Sequence, residues 1–401
     1  MTPQITADAP AIHGGRPLFS SPVRFIKPTL PLLKRVLRSY RPVYHSGLIT
    51  NAALVSRLEE SAAEVLGTTH CVAVSSCTSG LALTLKALGL RGEVILPSFT
   101  FFATGHAVLW NNLTPVFADC DPATWTLDAA SVKARITERT CAILAVHLYG
   151  NPCNVEALAD VASQHGLKLI FDAAHAFGSM HNRRPVGQFG DAEVFSLSPT
   201  KLLVAGEGGL VSTDDAVLAR RLRAARNYGD LGAYDPELLG LNARMSEFNA
   251  ALALAGLPMT DLKITRHNEI ARLYTSGLAD LPGLGFQRVL PNDVSTYKDY
   301  SVLVDAAGFG LSRDRLAEAL LAENIVTKKY FSPPLHSQTL FRPFYRGDHP
   351  VPNTDLAAGT VLSLPIYESL PDETVEKISY AIRRLATSRS ELSKATAGVS
   401  R

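Results

Sequence analysis

The chain has 401 residues, of which 46% are hydrophobic and 19% charged, and such a composition indicates a globular protein with a large apolar core. Its formal net charge is only +2 and no long basic run stands out, which argues against a nucleic-acid partner. The five cysteines contain no CxxC pair, so neither a disulfide framework nor a zinc site is expected.

The N-terminal residues 1–20 are rich in Pro, Gly and Ala and are predicted to form an arm rather than a core element. This segment lacks the basic and apolar regions of a signal peptide. No apolar stretch in the chain approaches the length of a membrane span. We therefore expect a cytoplasmic protein with no membrane partner.

Strands and helices alternate through the first half of the sequence. Apolar spacing predicts a helix over 54–66 that Gly67 ends, followed by a strand at 71–75. A small polar turn at 76–80 then precedes a helix at 81–88. Further strands are predicted at 93–96, 115–118, 141–146 and 167–171, and further helices at 102–110 and 155–165. Because these strands are apolar throughout, we expect a mostly parallel sheet covered by helices on both faces.

The second half changes character. It is mostly helical from 217 to 274 apart from a loop around 227–232, and it then predicts a strand at 301–305 and a helix at 313–324. A short strand at 325–327 and a last helix at 372–386 follow. We predict a large α/β domain over 21–260, a smaller α+β domain over 261–387 and a flexible polar tail over 388–401.

A carboxylate and a lysine stand at positions that suit pyridoxal phosphate (PLP). Asp172 directly follows the strand at 167–171, at the edge where open α/β sheets bind ligands, and Lys201 lies downstream ahead of a glycine cluster at 206–209. A lysine amine forms a Schiff base with the PLP aldehyde, and an aspartate keeps its pyridine nitrogen protonated. Either residue alone is better explained as a solvated lysine or a helix cap.

Further features suit the same cofactor. The turn at 76–80 precedes a helix and offers amides and hydroxyls to a phosphate, although an ordinary Ser/Thr N-cap is equally consistent. The segment 97–104 offers aromatic rings for stacking, of which at least one is expected to pack in the core instead. Side chains that would complete the site are His175 near Asp172, and Ser196 and Ser198 ahead of Lys201.

Together these segments resemble the DegT family of sugar aminotransferases, a branch of the fold-type I PLP enzymes. The matching pieces, in chain order, are ILPSFTFFAT, VHLYGNP, LIFDAAHAFG, FSLSPTK, GEGG, RNYG, LNARMSEFNAALAL and YFSPPLH. The resemblance spans nearly the whole chain. It implies a large domain with a mostly parallel, seven-stranded sheet flanked by helices, and a smaller C-terminal α+β domain.

The resemblance also implies catalytic roles. Lys201 matches the Schiff-base lysine, Asp172 matches the partner of the pyridine nitrogen, and His175 matches a residue that touches the phenolic oxygen of PLP. The implied reaction moves an amino group, from glutamate as donor, to a keto sugar that is nucleotide-linked. Some relatives carry His in place of the lysine and dehydrate their substrates, so Lys201 favours transamination.

The remaining cofactor contacts implied by the resemblance lie elsewhere in the chain. Thr78, Ser79 and Ser196 match the phosphate ligands, and Phe101 matches the ring that stacks on the cofactor. Asn242 matches an asparagine that reaches the phosphate of the neighbouring subunit, which implies a homodimer with shared active sites.

Two departures from the family pattern stand out: the first, at Cys77, is a small change that we expect to be tolerated, and the second leaves the substrate open. Cys77 stands where the family often has Gly or Ala, and the segment 295–299 replaces one in which many members carry His and an aromatic pair. That segment lies near the substrate in the family, so the identity of the sugar is not determined.

Three other functions remain to be weighed. An aminotransferase acting on a keto-cyclitol would use the same cofactor site. A PLP-binding regulator without turnover is disfavoured by the presence of both Lys201 and Asp172. A nucleotide-binding Rossmann protein would need a GxGxxG turn after its first strand, and residues 76–80 do not form one.

Overall fold

The protein is described here by a computed structural model that covers residues 9–345 and 347–387. The tail predicted over 388–401 and the first eight residues of the predicted arm lie outside this range. Nine strands lie in the larger part of the chain: β1 (His70–Val74), β2 (Glu93–Pro97), β3 (Thr114–Ala118), β4 (Thr140–Val146), β5 (Lys168–Asp172), β6 (Met180–His181), β7 (Arg184–Pro185), β8 (Ala192–Ser196) and β9 (Gly209–Thr213).

Seven of these strands form one sheet in the order β1-β9-β8-β5-β4-β2-β3, and β6 pairs with β7 in a separate hairpin. Strand β9 runs antiparallel to β1 and β8, whereas the other neighbours in the large sheet are parallel. The predicted fold class, with a mostly parallel seven-stranded sheet flanked by helices, is therefore confirmed.

Helices cover both faces of this sheet. They are α1 (Leu33–Ser46), α2 (Ala53–Leu66), α3 (Cys77–Ala87), α4 (Phe102–Trp110), α5 (Ala129–Lys133), α6 (Val155–His165), α7 (Ala216–Ala225) and α8 (Glu247–Gly256). Successive strand residues point to opposite sides. Cys71 and Ala73 of β1 therefore pack in the core layer that contains residues of α2 and α6, while Val72 and Val74 pack in the layer of α3, α4 and α7.

A second, smaller sheet follows. The remaining elements are α9 (Thr260–Leu278), β10 (Leu284–Phe286), β11 (Tyr300–Val304), α10 (Ala306–Phe309), α11 (Arg313–Ala322), α12 (Pro352–Thr360), β12 (Val361–Leu364) and α13 (Asp372–Thr387). Strands β10, β11 and β12 form an antiparallel sheet, and its core includes residues of α9, α11 and α13. The boundary predicted between residues 260 and 261 falls at the start of α9, and the division into two domains stays a prediction.

The described part of the N-terminal arm is attached to this second region. The backbone amides of Ala11 and Leu18 each donate to the carboxylate of Glu323 at 2.8 Å. The strand predicted at 325–327 is wrong: Ile325 makes a single bridge to Val23 of the N-terminal segment and Lys328 makes another to Ser363. Since each is a single bridge to a different partner, and Lys328 lies just beyond the predicted strand, no continuous ladder forms there.

Helices α1, α3, α5, α10 and α12 differ from the sequence analysis, which did not predict α5, α10 or α12. Helix α3 begins at Cys77 instead of residue 81, because Ser76 and Ser79 form a capping box that places the polar turn inside the helix. Helix α1 was not predicted. Its apolar side chains Leu33, Leu37 and Tyr44 are exposed and do not pack in the core of this chain. None of the helices in the described ranges is both long and apolar enough to cross a bilayer.

Candidate active site

A cavity of about 340 Å³ opens at the carboxyl ends of the central strands. The chain reaches it just after β1 and β2 and at the last residues of β5 and β8. Six of the eight predicted site residues line this cavity: Thr78, Phe101, Asp172, His175, Ser196 and Lys201. The lining therefore gathers residues that are more than 120 positions apart, as expected for the ligand edge of an open α/β sheet.

Asp172 is the last residue of β5 and is only 5% exposed. Its Oδ2 accepts a hydrogen bond from the Thr104 hydroxyl at 2.8 Å, and its Oδ1 accepts one from the backbone amide of Ala174 at 3.1 Å. Burial raises the pKa of Asp172, while these two donors act in the opposite direction because they stabilise the ionised form. The carboxylate is thus oriented and suited to a cationic partner in the cavity.

His175 presents a defined tautomer. Its Nδ1 accepts a hydrogen bond from the backbone amide of Tyr149 at 3.1 Å, which leaves the proton of the neutral ring on Nε2. Burial, together with the positive charges of Lys201 and Lys298, holds the pKa of His175 well below its ordinary value. A neutral imidazole with Nε2–H as its donor suits hydrogen bonding to an anionic oxygen.

Lys201 lies in the segment between β8 and β9. Burial lowers the pKa of its amine to about 8, the nearby ammonium of Lys298 acts in the same direction, and the carboxylate of Asp299 opposes them. A lower pKa raises the fraction of neutral amine near pH 7, which is the form that attacks a carbonyl carbon.

The turn that begins α3 forms the part of the cavity suited to a phosphate. The Ser76 hydroxyl accepts from the Ser79 amide at 3.1 Å, while the amides of Cys77 and Thr78, the first of the helix, have no acceptor among the described residues. The Ser79 hydroxyl donates to the Ser76 carbonyl at 2.8 Å, and Ser79 is not among the cavity-lining residues. Its predicted role as a phosphate ligand stays a prediction.

Gly209 of the GEGG segment passes directly behind this turn. A Cβ at Gly209 would lie 2.6 Å from the carbonyl carbon of Ser76 and 2.7 Å from the nitrogen of Cys77. Such contacts are too short for any side chain, so glycine is required by the close approach of two backbones. The glycine cluster therefore supports the turn at the start of α3.

Phe101 and Asn242 occupy exposed positions. Phe101 lines the cavity with 44% of its surface exposed, as expected of a ring that could stack on a ligand. Asn242 is exposed and does not line the cavity of its own chain, and its Oδ1 accepts from Nε of Arg244 at 3.2 Å. The predicted contact of Asn242 with a second subunit stays a prediction.

Two charged residues of the site were not identified individually from the sequence. Lys298 and Asp299 line the cavity, and Nζ of Lys298 donates to Oδ1 of Asp299 at 2.8 Å. They lie in the segment 295–299 that departs from the family pattern, which was the one available signal. Tyr330 and Phe331, from the piece YFSPPLH, complete the same wall.

The cavity fits PLP by the chemistry of its own residues. It places an amine of lowered pKa, a buried carboxylate with defined donors and a neutral imidazole around one space, with unpaired helix amides at one side. The amine suits the aldehyde of PLP, the carboxylate suits its pyridine nitrogen, and the imidazole suits its phenolic oxygen. The helix amides suit its phosphate.

Comparison with known proteins decides the family. Residues 33–383 match the sequence profile of the DegT/DnrJ/EryC1/StrS aminotransferase family. The chain belongs to this family. A relative from Escherichia coli, dTDP-4-amino-4,6-dideoxy-D-glucose transaminase, is 34% identical over 359 residues, covering 88% of this chain and 96% of the relative.

Two more members of the family extend the comparison. UDP-N-acetyl-3-dehydro-alpha-D-glucosamine 3-aminotransferase of Acidithiobacillus ferrooxidans is 38% identical over 335 residues, covering 82% of this chain and 87% of the relative. The crystal structure of DesI in the presence of its TDP-sugar product superposes with a TM-score of 0.92 and 39% identity, covering 98% of this chain and 100% of DesI.

Membership in the DegT family confirms three predictions: the family itself, the fold-type I architecture and the assignment as an aminotransferase. The names of these relatives refer to nucleotide-linked sugars, in agreement with the predicted class of substrate. Aminotransferases of the family depend on PLP. The roles of individual residues toward that cofactor stay predictions.

Proposed function

We propose that this enzyme transfers an amino group from glutamate to a keto sugar carried on a nucleotide, and so produces an amino sugar for glycan or natural-product biosynthesis. The observation that carries the proposal is the placement of Lys201, Asp172 and His175 around one cavity at the carboxyl edge of the sheet. Each group has the protonation or hydrogen bonding that a PLP-dependent transfer requires.

Specific residues would hold the cofactor. Lys201 would attach to it, Asp172 would pair with the ring nitrogen and His175 would donate to the phenolic oxygen. The phosphate ligands would be Thr78, Ser79, Ser196 and the first amides of α3, Phe101 would stack on the ring, and Asn242 would come from a second subunit. When bound, PLP supplies an electron sink that stabilises the negative charge left when a proton leaves the donor's α-carbon.

The chain's own residues then move and hold protons. The amine of Lys201, when it is not attached to the cofactor, would remove the proton from the α-carbon of glutamate as a base and deliver it as an acid to the carbon of the PLP aldehyde group. The Asp172 carboxylate keeps a proton on its partner nitrogen throughout. With the keto sugar the same amine works in the reverse order, so one lysine serves both halves of the transfer.

The acceptor class is supported by the named relatives. The Escherichia coli and Acidithiobacillus ferrooxidans enzymes are named for a dTDP-linked and a UDP-linked sugar, and DesI was crystallised with a TDP-sugar. A keto sugar nucleotide is therefore the proposed acceptor, with glutamate as the proposed donor.

We also propose a homodimer with active sites shared through Asn242, and a cytoplasmic location. An exposed Asn242 outside its own chain's cavity supports the first proposal. The free cysteines, four of them buried, support a reducing compartment.

The test is a substrate screen. Purified enzyme with PLP and glutamate is incubated with a panel of keto sugar nucleotides and keto-cyclitols, and amino products are identified by mass spectrometry. We expect transfer to a keto sugar nucleotide. Transfer to a keto-cyclitol alone would favour the aminoglycoside-type alternative, and conversion of neither class with an intact cofactor signal would favour a regulator.

A further inference from the structure

Lys298 and Asp299 form a buried ion pair inside the active-site cavity. Their side chains are joined at 2.8 Å, and the residues are only 4% and 1% exposed. Burying two charges costs desolvation energy, which mutual attraction offsets only when further polar partners are present. Because Lys298 and Asp299 lie on a cavity wall, a bound ligand could supply the further hydrogen-bonding groups that this ion pair needs.

One carboxylate oxygen of the pair lacks a hydrogen-bond partner among the described residues. This atom, Oδ2 of Asp299, is buried. Buried acceptors are rarely unpaired in native proteins, so this oxygen is expected to accept from a bound molecule. The Lys298 ammonium carries three N–H donors, of which the Asp299 contact uses one.

The pair is also fixed in place by its backbone. The amide of Lys298 donates to the carbonyl of Tyr149 at 2.9 Å, and the Thr296 hydroxyl donates to the carbonyl of His175 at 2.7 Å. The segment 295–299 is thus attached to the residues that orient His175. A donor and an acceptor presented side by side on such a rigid segment are suited to geometric recognition.

Lys298 of the pair lies between two cavities. Lys298 and Tyr330 line the cavity of Lys201 and also a second one of about 370 Å³, whose wall includes Arg24 and Lys328. A sugar nucleotide has its reacting carbon at one end and phosphates further out, with the sugar ring between them. Lys298 and Asp299 line the cavity that contains Lys201, whereas Arg24 and Lys328 line only the second cavity.

We propose that Lys298 and Asp299 recognise the hexose ring of the acceptor: Oδ2 of Asp299 accepts from a ring hydroxyl, and Nζ of Lys298 donates to a neighbouring ring oxygen. This proposal rests on the proposed function and names its specificity-determining residues. A neutral hydroxyl suits the pair better than a glutamate carboxylate does, because a carboxylate near Nζ of Lys298 would also lie near the negative charge of Asp299.

Calorimetric binding tests the proposal without turnover. The probes are dTDP-4-amino-4,6-dideoxy-D-glucose and dTDP, which lacks the hexose, and the proteins are the wild type and Asp299→Asn. We expect Asp299→Asn to raise the dissociation constant of the sugar nucleotide about 10- to 100-fold and that of dTDP less than about threefold. Equal weakening of both ligands would overturn the proposal, as would a wild type that binds the sugar nucleotide no more tightly than dTDP.

A second variant separates recognition from misfolding. Lys298→Met combined with Asp299→Leu replaces the pair by apolar groups and leaves no unpaired buried charge. It should show the same selective loss for the sugar nucleotide. Asp314→Asn, which changes an exposed carboxylate paired with Lys329 outside the cavity, is the matched control and should bind both ligands as the wild type does.

The half-reaction with glutamate distinguishes failure of this proposal from failure of the proposed function. Mixed with glutamate at a pH where the rate has levelled off, Asp299→Asn holoenzyme should change its cofactor absorbance at a rate that falls much less than sugar binding weakens. Loss of the Asp299 charge near Lys201 should instead move the pH midpoint of this rate to lower pH. A rate that falls as much as sugar binding weakens would assign the pair to the donor and overturn the proposal. A wild type that does not react with glutamate would instead overturn glutamate as the donor, while the hexose-dependent difference in binding would stand.

Discussion

The hydroxyl of Thr104 donates a hydrogen bond to Oδ2 of Asp172 at 2.8 Å. Thr104 is the third residue of α4, and Asp172 is the last residue of β5, so this contact joins two elements that are separate in the sequence. A second hydroxyl, that of Thr100, lies 3.0 Å from the Thr104 hydroxyl and extends the chain of contacts. The segment 97–104 offers aromatic rings for stacking, and through Thr104 it also orients Asp172, the proposed partner of the cofactor nitrogen.

The Thr104 contact gives the first prediction. Thr104→Val removes the donor to Asp172 at nearly constant volume, and we expect PLP to bind about tenfold more weakly, since a hydrogen bond to a charged group contributes roughly 1.5–3 kcal/mol. The dissociation constant is measured by titrating cofactor-free protein. Thr104→Ser keeps the donor and should bind normally, and equal weakening in both variants would show that the methyl group matters rather than the hydroxyl.

Replacing Lys201 should remove the covalent attachment of PLP and the transfer activity together. Lys201→Ala lacks the only amine that we assign to proton transfer, so we expect turnover to fall by at least about 10³-fold. Borohydride reduction followed by peptide mass spectrometry locates the attachment. Lys377→Ala is the control, since Lys377 pairs with Glu373 on α13 and does not line this cavity. A reducible adduct in Lys201→Ala would show the assignment to be wrong.

Asp172→Asn should separate binding from catalysis. The amide preserves the shape of the carboxylate but removes the charge that keeps the ring nitrogen protonated. We expect bound cofactor and a loss of roughly 10²- to 10⁴-fold in the rate of α-proton removal, followed with deuterated glutamate. Asp191→Asn, on the loop before β8, is the control and should react normally. Near-normal proton removal in Asp172→Asn would mean that this residue does not control the electron sink.

The lowered pKa of Lys201 predicts how cofactor uptake depends on pH. At the ordinary value of 10.5 fewer than about one amine in a thousand is neutral at pH 7, whereas at about 8 roughly a tenth is neutral. Capture of PLP by cofactor-free protein should therefore accelerate as pH rises and level off above about 8. Stopped-flow absorbance across a pH series measures this midpoint.

The variant Lys298→Met tests whether the positive charge of Lys298 contributes to the pH midpoint of PLP capture. Removing a positive charge near Lys201 stabilises the protonated amine, so the pKa of Lys201 should rise and the midpoint of PLP capture should move to higher pH. An unchanged midpoint in Lys298→Met would mean that the charge of Lys298 does not lower the pKa of Lys201.

Hybrid dimers test the shared site. Lys201→Ala chains and Asn242→Asp chains should each be inactive, the second because a carboxylate facing the phosphate adds repulsion. When the two are mixed, one site of each hybrid dimer carries neither change, and we expect activity to return. If hybrids form and no activity returns, Asn242 acts within its own subunit.

The sequence predicts those elements whose ends are set by neighbouring residues, such as helix caps. Helix α6 has the predicted bounds because Asn154 caps its start and Gly166 ends it, and Asp172 terminates β5 as its position after an apolar run indicated. The start of α3 was missed because serines favour turns as well as caps, and the structure resolves the choice through the Ser76–Ser79 capping box.

Other features depend on contacts that no local pattern contains. Lys298 and Asp299 would ordinarily be taken for solvated residues, but they are buried. Their segment is hydrogen-bonded to the carbonyl of Tyr149, and Phe331 lines the same cavity, and both partners are distant in sequence. The wrong strand at 325–327 has a similar origin, since the partners of that segment come from both ends of the chain. Helix α1 was not predicted, and the apolar residues on its exposed face do not pack in the core of this chain.

The proposed cofactor residues and the wall proposed to face the acceptor come from separate stretches of chain. Every residue proposed to hold the cofactor within one subunit lies between positions 77 and 201, whereas Lys298 and Asp299 come from the segment before β11. Exchange of residues 295–299 between members of the family would therefore leave the cofactor contacts of that subunit in place while changing the wall that faces the acceptor. This separation makes the segment a compact target for redirecting the enzyme toward other sugars, and a place where substrate range can diverge without loss of the transamination chemistry.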